Sequence, residues 1–241
     1  MPQDQSEHIV RSYDEQLKRL RELVVRMGGL AERQLADAAT ALVRRDAEMA
    51  GSIVGRDAEI DALEREIEAF CIRLLALRQP VAQDLRFIVA CLKVAHNLER
   101  IGDYARNAAK RTIVLASQPH VGSMNGFQWL ARLVQQNLKD AIDALVNNDA
   151  AAAERVWAND APVDDIYNGI FREMLTHMME DARNITAATH MMFIAKNFER
   201  IGDHATNIAE TVHYAVLGDS LPDDRPKSDS SAYAVVRPPN A

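Results

Sequence analysis

The sequence contains the same text twice. Asn97-Leu98-Glu99-Arg100-Ile101-Gly102-Asp103 returns one hundred residues later as Asn197-Phe198-Glu199-Arg200-Ile201-Gly202-Asp203, and Ala105, Asn107 and Ala109 return as Ala205, Asn207 and Ala209. Upstream, Leu35 to Asp61 aligns with Leu138 to Asp164 at an offset of 103, with 12 of 27 positions identical. Two matching blocks in the same order and at nearly the same offset mean a duplication. The chain must therefore fold as two copies of one unit.

The unit is helical. Phe87, Cys91, Val94, Leu98, Ile101, Ala105 and Ala108 are spaced alternately by four and three residues, and Ala187, Met191, Ile194, Phe198, Ile201, Ala205 and Ile208 repeat that spacing. This is the seam of a bundle helix. Ile53, Ile60, Leu63, Ile67, Phe70 and Leu74 mark a further stripe upstream. Breaks at Gln79-Pro80, His120 to Asn125, Asn147-Asn148-Asp149 and Asn184-Ile185-Thr186 predict helices over about 6–46, 47–78, 82–117, 126–147, 149–182 and 186–217. Gly28-Gly29 is a candidate kink in the first. Short connections make successive helices antiparallel neighbours. The expected fold is all-α: a tandem pair of three-helix bundles, residues 6–117 and 126–217, related by a pseudo-twofold axis. A Ser-, Asp-, Pro- and Lys-containing tail over 218–241 is expected to be disordered.

Composition agrees and narrows the function. Of 241 residues, 48% are apolar and only 5% aromatic, which suits a helical bundle. A net charge of -7 and the lack of a basic stripe argue against nucleic acid. The apolar stretches are interrupted by Arg73, Arg78, Asp84, Arg86 and Lys93, so no membrane insertion is expected. No leader is visible at Met1-Pro2-Gln3-Asp4, and the two cysteines, Cys71 and Cys91, read as buried thiols in a reducing cytosol. The expected location is cytoplasmic, with peripheral docking at the inner face of the membrane through partners.

The chemistry that stands out is carboxylate pairs spaced i, i+4. These are Asp57/Asp61 and Glu99/Asp103 in the first copy, and Asp160/Asp164 and Glu199/Asp203 in the second. On a helix each pair presents its oxygens on one face, and like charges so placed disfavour the helix unless a cation sits between them. Helical projection puts these acids beside the seam, on a solvent-side groove rather than in the core. There they serve either as a solvated face or, being duplicated, as metal ligands for Mg, Mn, Ca or iron. Asn107 and Asn207, one turn on, and His204 are further candidate ligands. Arg100 and Arg200 are expected to pair with nearby acids. Gly102 and Gly202 mark either close helix packing or room for a ligand.

Leu98 to Asp103 and Phe198 to Glu210, with Met27-Gly28-Gly29, Arg78-Gln79-Pro80, Asp84-Leu85-Arg86 and Met178-Met179-Glu180-Asp181, resemble the signature segments of the PhoU family over about residues 6–217. Ala182-Arg183-Asn184-Ile185 departs from the family, which often has Ser before the Arg. The resemblance implies a negative regulator of phosphate uptake and phosphate-starvation signalling. Such a regulator bridges the phosphate ABC transporter and a membrane sensor histidine kinase, acts as a homodimer, and is not an enzyme. It also implies iron, zinc, manganese or magnesium ions on Asp57, Asp61, Glu99, Asp103, Asp160, Asp164, Glu199 and Asp203. Two other readings stand beside it: a metal-free helical scaffold, and a ferritin-like di-iron enzyme, against which the absence of any Glu-x-x-His motif counts.

Overall fold

The structure is a computed structural model that describes the backbone of residues 3–222 and the side chains of residues 12–222. Among the described residues it is all helix, without a strand. The order is α1 (Gln3–Arg44), α2 (Ala47–Arg56), α3 (Ala58–Arg78), α4 (Ala82–Leu115), α5 (Asn125–Asn147), α6 (Ala150–Ala158), α7 (Ala161–Glu180) and α8 (Ile185–Leu217), with a 3-10 turn at Ala182–Asn184 before α8.

The first helix of each repeat ends in one and the same turn. At Arg45 and Asn148 the chain enters the left-handed region, with φ of 55° and 50°. The next N–H returns to the ending helix, from Asp46 to the Ala41 carbonyl and from Asp149 to that of Ala144, both 2.9 Å. Asp46 and Asp149 then cap α2 and α6, accepting from the N–H groups of Met49 and Ala152 at 2.9 Å. Arg45 also donates to the carbonyls of Leu115 and Gln118 at the end of α4, where a cation complements the exposed carbonyls.

One expectation needs correction. The second segment of each repeat is two helices, with the breaks at Asp57 and at Asn159–Asp160. Gly28-Gly29 lies inside α1, which is helical from Gln3 to Arg44. Gly28 is a crossing point: a Cβ there would lie 2.7 Å from Ile142 Cδ1 of α5.

Packing follows the duplication. Helices α1–α4 pack on one another, as do α5–α8, and the two sets meet through α4 against α8 and α1 against α5. Like helix pairs with like helix, as a pseudo-twofold axis requires. Every predicted seam residue of α4 and α8 is buried, and the buried side chains of both repeats form one continuous core. Cys71 and Cys91 lie inside it as free thiols, both pushed up by burial, Cys71 to about 12. Gly218 (φ 85°) ends α8, its N–H on the Tyr214 carbonyl at 2.8 Å. From residue 223 onward the expected disordered tail lies outside the described residues. No described helix is long and apolar enough to cross a membrane.

Candidate functional site

The duplicated acids do not face solvent. Asp57, Asp160, Asp164 and Glu199 are buried, each at most 4% exposed, while Asp61, Glu99, Asp103 and Asp203 are half-buried. The projection failed for two physical reasons. Helices α4 and α8 are central, covered by their own bundle on one side and by each other on another. A second row of small residues, Ala95, Gly102 and Ala109 with Ala195, Gly202 and Ala209, is consequently buried beside the seam. Asp57 and Asp160, for their part, stand at helix breaks and are buried there.

The signature glycines permit this close approach. A Cβ on Gly102 would lie 2.9 Å from Ile60 Cδ1, and one on Gly202 3.1 Å from Val163 Cγ1. Both positions are packing contacts between the third helix and the helix that follows the break.

In the first repeat one guanidinium organises the acids. Arg106 reaches Asp57 with Nη1 and Asp103 with Nη2, the latter at 2.5 Å. Gln34 donates to Asp57 at 2.9 Å and to the Gly102 carbonyl at 3.0 Å. Arg100 pairs with Asp103 at 3.5 Å, as expected of it. Arg200, by contrast, crosses to the first repeat and donates to the Tyr104 hydroxyl at 3.5 Å. Glu99 is outside the Arg106 bridge. Burial, then Asp103, then Glu64 push its carboxyl up to about 7, with Arg100 opposing.

The second repeat solves the same problem differently. Thr206 stands where Arg106 does and donates to Asp160 at 3.2 Å. Asn137 stands where Gln34 does and accepts from Asn159 at 3.3 Å. Lys196 pairs with Glu199 at 2.9 Å while its ammonium lies 4.8 Å from the Tyr167 ring centroid. Burial still dominates and holds the Glu199 carboxyl at about 7, the Lys196 hydrogen bond pulling the other way and Asp203 and Asp164 adding to the rise. His204 lies at the joint between repeats, with Nδ1 2.8 Å from Asn97 Oδ1 and its ring 5.6 Å from that of Tyr104. Burial and the Arg100 charge depress it to about 4, so it is neutral. Asn107 and Asn207 are half-buried, one turn beyond Asp103 and Asp203.

As a cradle for a metal ion the eight acids do not form a bare carboxylate set, because Arg106 and Lys196 already supply positive charge to them. A donor group that does converge is Glu64, His96 and Glu99, whose ligand atoms all lie within 4.8 Å of one another. Glu64 and His96 lie outside the duplicated carboxylate pairs. The spacing of His96 and Glu99, three residues apart on one face of α4, was the signal available.

The PhoU domain matches this chain twice, over residues 24–112 and 127–212. The phosphate-specific transport system accessory protein PhoU homolog of Caulobacter vibrioides is 49% identical over 225 residues, covering 93% of this chain and 98% of that protein. Its Rhizobium meliloti counterpart is 43% identical over 226 residues, covering 93% and 95%. Among solved structures, PhoU from Pseudomonas aeruginosa superposes with a TM-score of 0.81 at 39% identity, over 86% of this chain and all of that one. The phosphate transport system regulatory protein PhoU from Streptococcus pneumoniae gives 0.81 at 28% identity, over 87% and 99%. With both halves matched and the relatives spanned nearly end to end, the chain belongs to the PhoU family.

Proposed function

We propose that this chain restrains phosphate uptake and phosphate-starvation signalling by contact, without turnover of its own. In this reading it works as a homodimer at the inner face of the membrane and binds subunits of the phosphate ABC transporter and a sensor histidine kinase. The observation that carries the reading is the end-to-end match to accessory proteins of the phosphate-specific transport system, across both repeats.

The surface suits contact. Ile72, Leu77, Val81 and Leu85 are exposed around the turn between α3 and α4, Val81 at 75% and Leu77 at 68%. A soluble chain leaves such side chains out singly, but a run of them about one turn offers a docking edge. To change transporter output the chain must bind one of the transporter's conformations more tightly than the other; a tenfold preference is worth about 1.4 kcal/mol.

The test is genetic and biochemical. Deleting the gene should derepress phosphate-starvation genes in phosphate-rich medium, and Leu77→Asp with Val81→Asp should do so while leaving the fold intact. Membrane complexes captured on the purified chain should contain the transporter. Normal repression in the deletion strain would overturn the reading.

A further inference from the structure

The duplication brings two arginines together at the joint between the repeats. Arg100 and Arg200 are the same signature residue one hundred positions apart. Helices α4 and α8 run antiparallel there, Asn97 meeting His204 and Arg111 meeting His190. Both guanidiniums turn to one phenol. Arg100 Nη2 is 3.4 Å and Arg200 Nη1 3.5 Å from the Tyr104 hydroxyl oxygen, with the two Cζ atoms 5.4 and 5.8 Å from its ring centroid. Two nitrogens so placed stand within about 7 Å of each other, where like charges repel. What they gain is weak: a neutral oxygen accepts both bonds at long range, whereas guanidinium N–H groups settle at about 2.7–2.9 Å from an anionic oxygen. Asp103 offers Arg100 little relief, because it lies 3.5 Å from Arg100 but 2.5 Å from Arg106, which takes up its charge. Among the described residues no carboxylate pairs with Arg200, whose contact is the Tyr104 hydroxyl.

We propose that Arg100, Arg200 and Tyr104 hold one tetrahedral oxyanion, inorganic phosphate or the phosphate head of a small phosphomonoester, at the joint between the repeats. The donors fit that shape. A charged fork enters from each of two helices, and the phenol can turn its proton to the ligand. Three donor directions match the oxygens of a tetrahedral anion, while a planar carboxylate offers only two. A gap of about 7 Å between the nitrogens takes one such anion with each N–H···O bond near 2.8 Å. Arg200 is exposed while Arg100 and Tyr104 are half-buried, so the ligand enters from solvent and the phenol marks its place. The Tyr104 ring is backed by His204 at 5.6 Å. His204 Nδ1 is in turn 2.8 Å from Asn97 Oδ1, and the Asn97 amide donates to the Lys93 carbonyl at 2.8 Å. The floor of the site is thus fixed before a ligand arrives. One arginine comes from each repeat, so neither repeat makes the site alone. The inference goes beyond the regulatory role and does not need it, since binding is read on the purified chain.

The test is calorimetric titration of the full-length chain with inorganic phosphate at pH 7.5. The buffer is low in salt and contains a chelator, so that no metal ion holds the anion in place of the arginines. One equivalent should bind per chain. Arg200→Gln should weaken binding about tenfold or more, Arg100→Gln likewise, and Tyr104→Phe by a smaller factor. Because Arg200 is exposed, its substitution leaves the fold intact, which circular dichroism checks. Arg183→Gln, at an exposed arginine paired with Asp181, should bind phosphate as the parent chain does. Glycerol phosphate that displaces phosphate one for one assigns the site to phosphomonoester heads; phosphate that it does not displace assigns the site to the free ion. No saturable binding of either compound, or binding unchanged in Arg200→Gln, would overturn the proposal and leave the regulatory reading standing.

Discussion

Replacing Arg106 with Met tests whether the first repeat depends on its buried ion pair. The Asp57 side chain is 5% exposed and the Arg106 side chain 27%, so the bridge is largely shielded from water. Met keeps the apolar stem but leaves Asp57 with only the Gln34 amide, and Asp103 with Arg100 at 3.5 Å. Removing one partner of a buried pair costs about 3–5 kcal/mol, and the partial exposure of Arg106 points to the lower end, about 3 kcal/mol. For a chain of this size that lowers the melting temperature by roughly 6–12 °C. Urea unfolding at pH 7.5 measures it directly. Asp57→Asn alone should cost less, since Gln34 can still donate to the Asn carbonyl and Arg106 keeps Asp103. The double variant should be more stable than the sum of the two losses by at least 1 kcal/mol, because the charge that Arg106 neutralises is then gone. A loss below about 1 kcal/mol for Arg106→Met, or strictly additive losses, would refute the argument that this pair anchors the α2–α3 break to α4.

The remaining predictions use differences between neighbouring or duplicated positions. Burial holds the Glu199 carboxyl at about 7 in the folded chain against its ordinary value of about 4.5, so the folded state binds more protons in between and stability falls as pH rises from 4.5 to 7. The cost is complete above pH 7 at about 3 kcal/mol, and Glu199→Gln should flatten that slope in melts between pH 5 and 8. Glu99 should contribute in the same direction by less, since solvent screens its more exposed carboxyl. Gly29→Ala should stabilise by about 0.5–1 kcal/mol, as nothing lies within 4 Å of the added Cβ. Gly28→Ala should destabilise by about 1–3 kcal/mol through the Ile142 contact, which urea melts of the two variants will separate. Asp46→Ala and Asp149→Ala should each cost about 1 kcal/mol, and the losses should add because the caps share no partner.

The sequence by itself determined the helical class, the duplication and the seams of α4 and α8. These depend on periodicity and self-similarity, which are properties of the chain order, and the same residues Leu98, Ile101, Phe198 and Ile201 fill the core. It also held the caps at Asp46 and Asp149, since a capping aspartate acts within three residues of itself. Only the tertiary structure decided what surrounds the acids. A helical projection shows which side of a helix a residue occupies and says nothing about whether a second bundle covers that side. Thus Glu199 lies on the side that the projection turns to solvent and is buried, and Arg200, which has acids beside it in the sequence, reaches Tyr104 of the other repeat. The replacement of Arg106 by Thr206 and of His96 by Lys196 is plain in the aligned repeats, but its meaning depends on distances across helices. Whether a carboxylate is paired, packed or ready for an ion is fixed by neighbours far away in sequence, because electrostatic energy at a few ångströms depends on where charges meet in space and how much water lies between them.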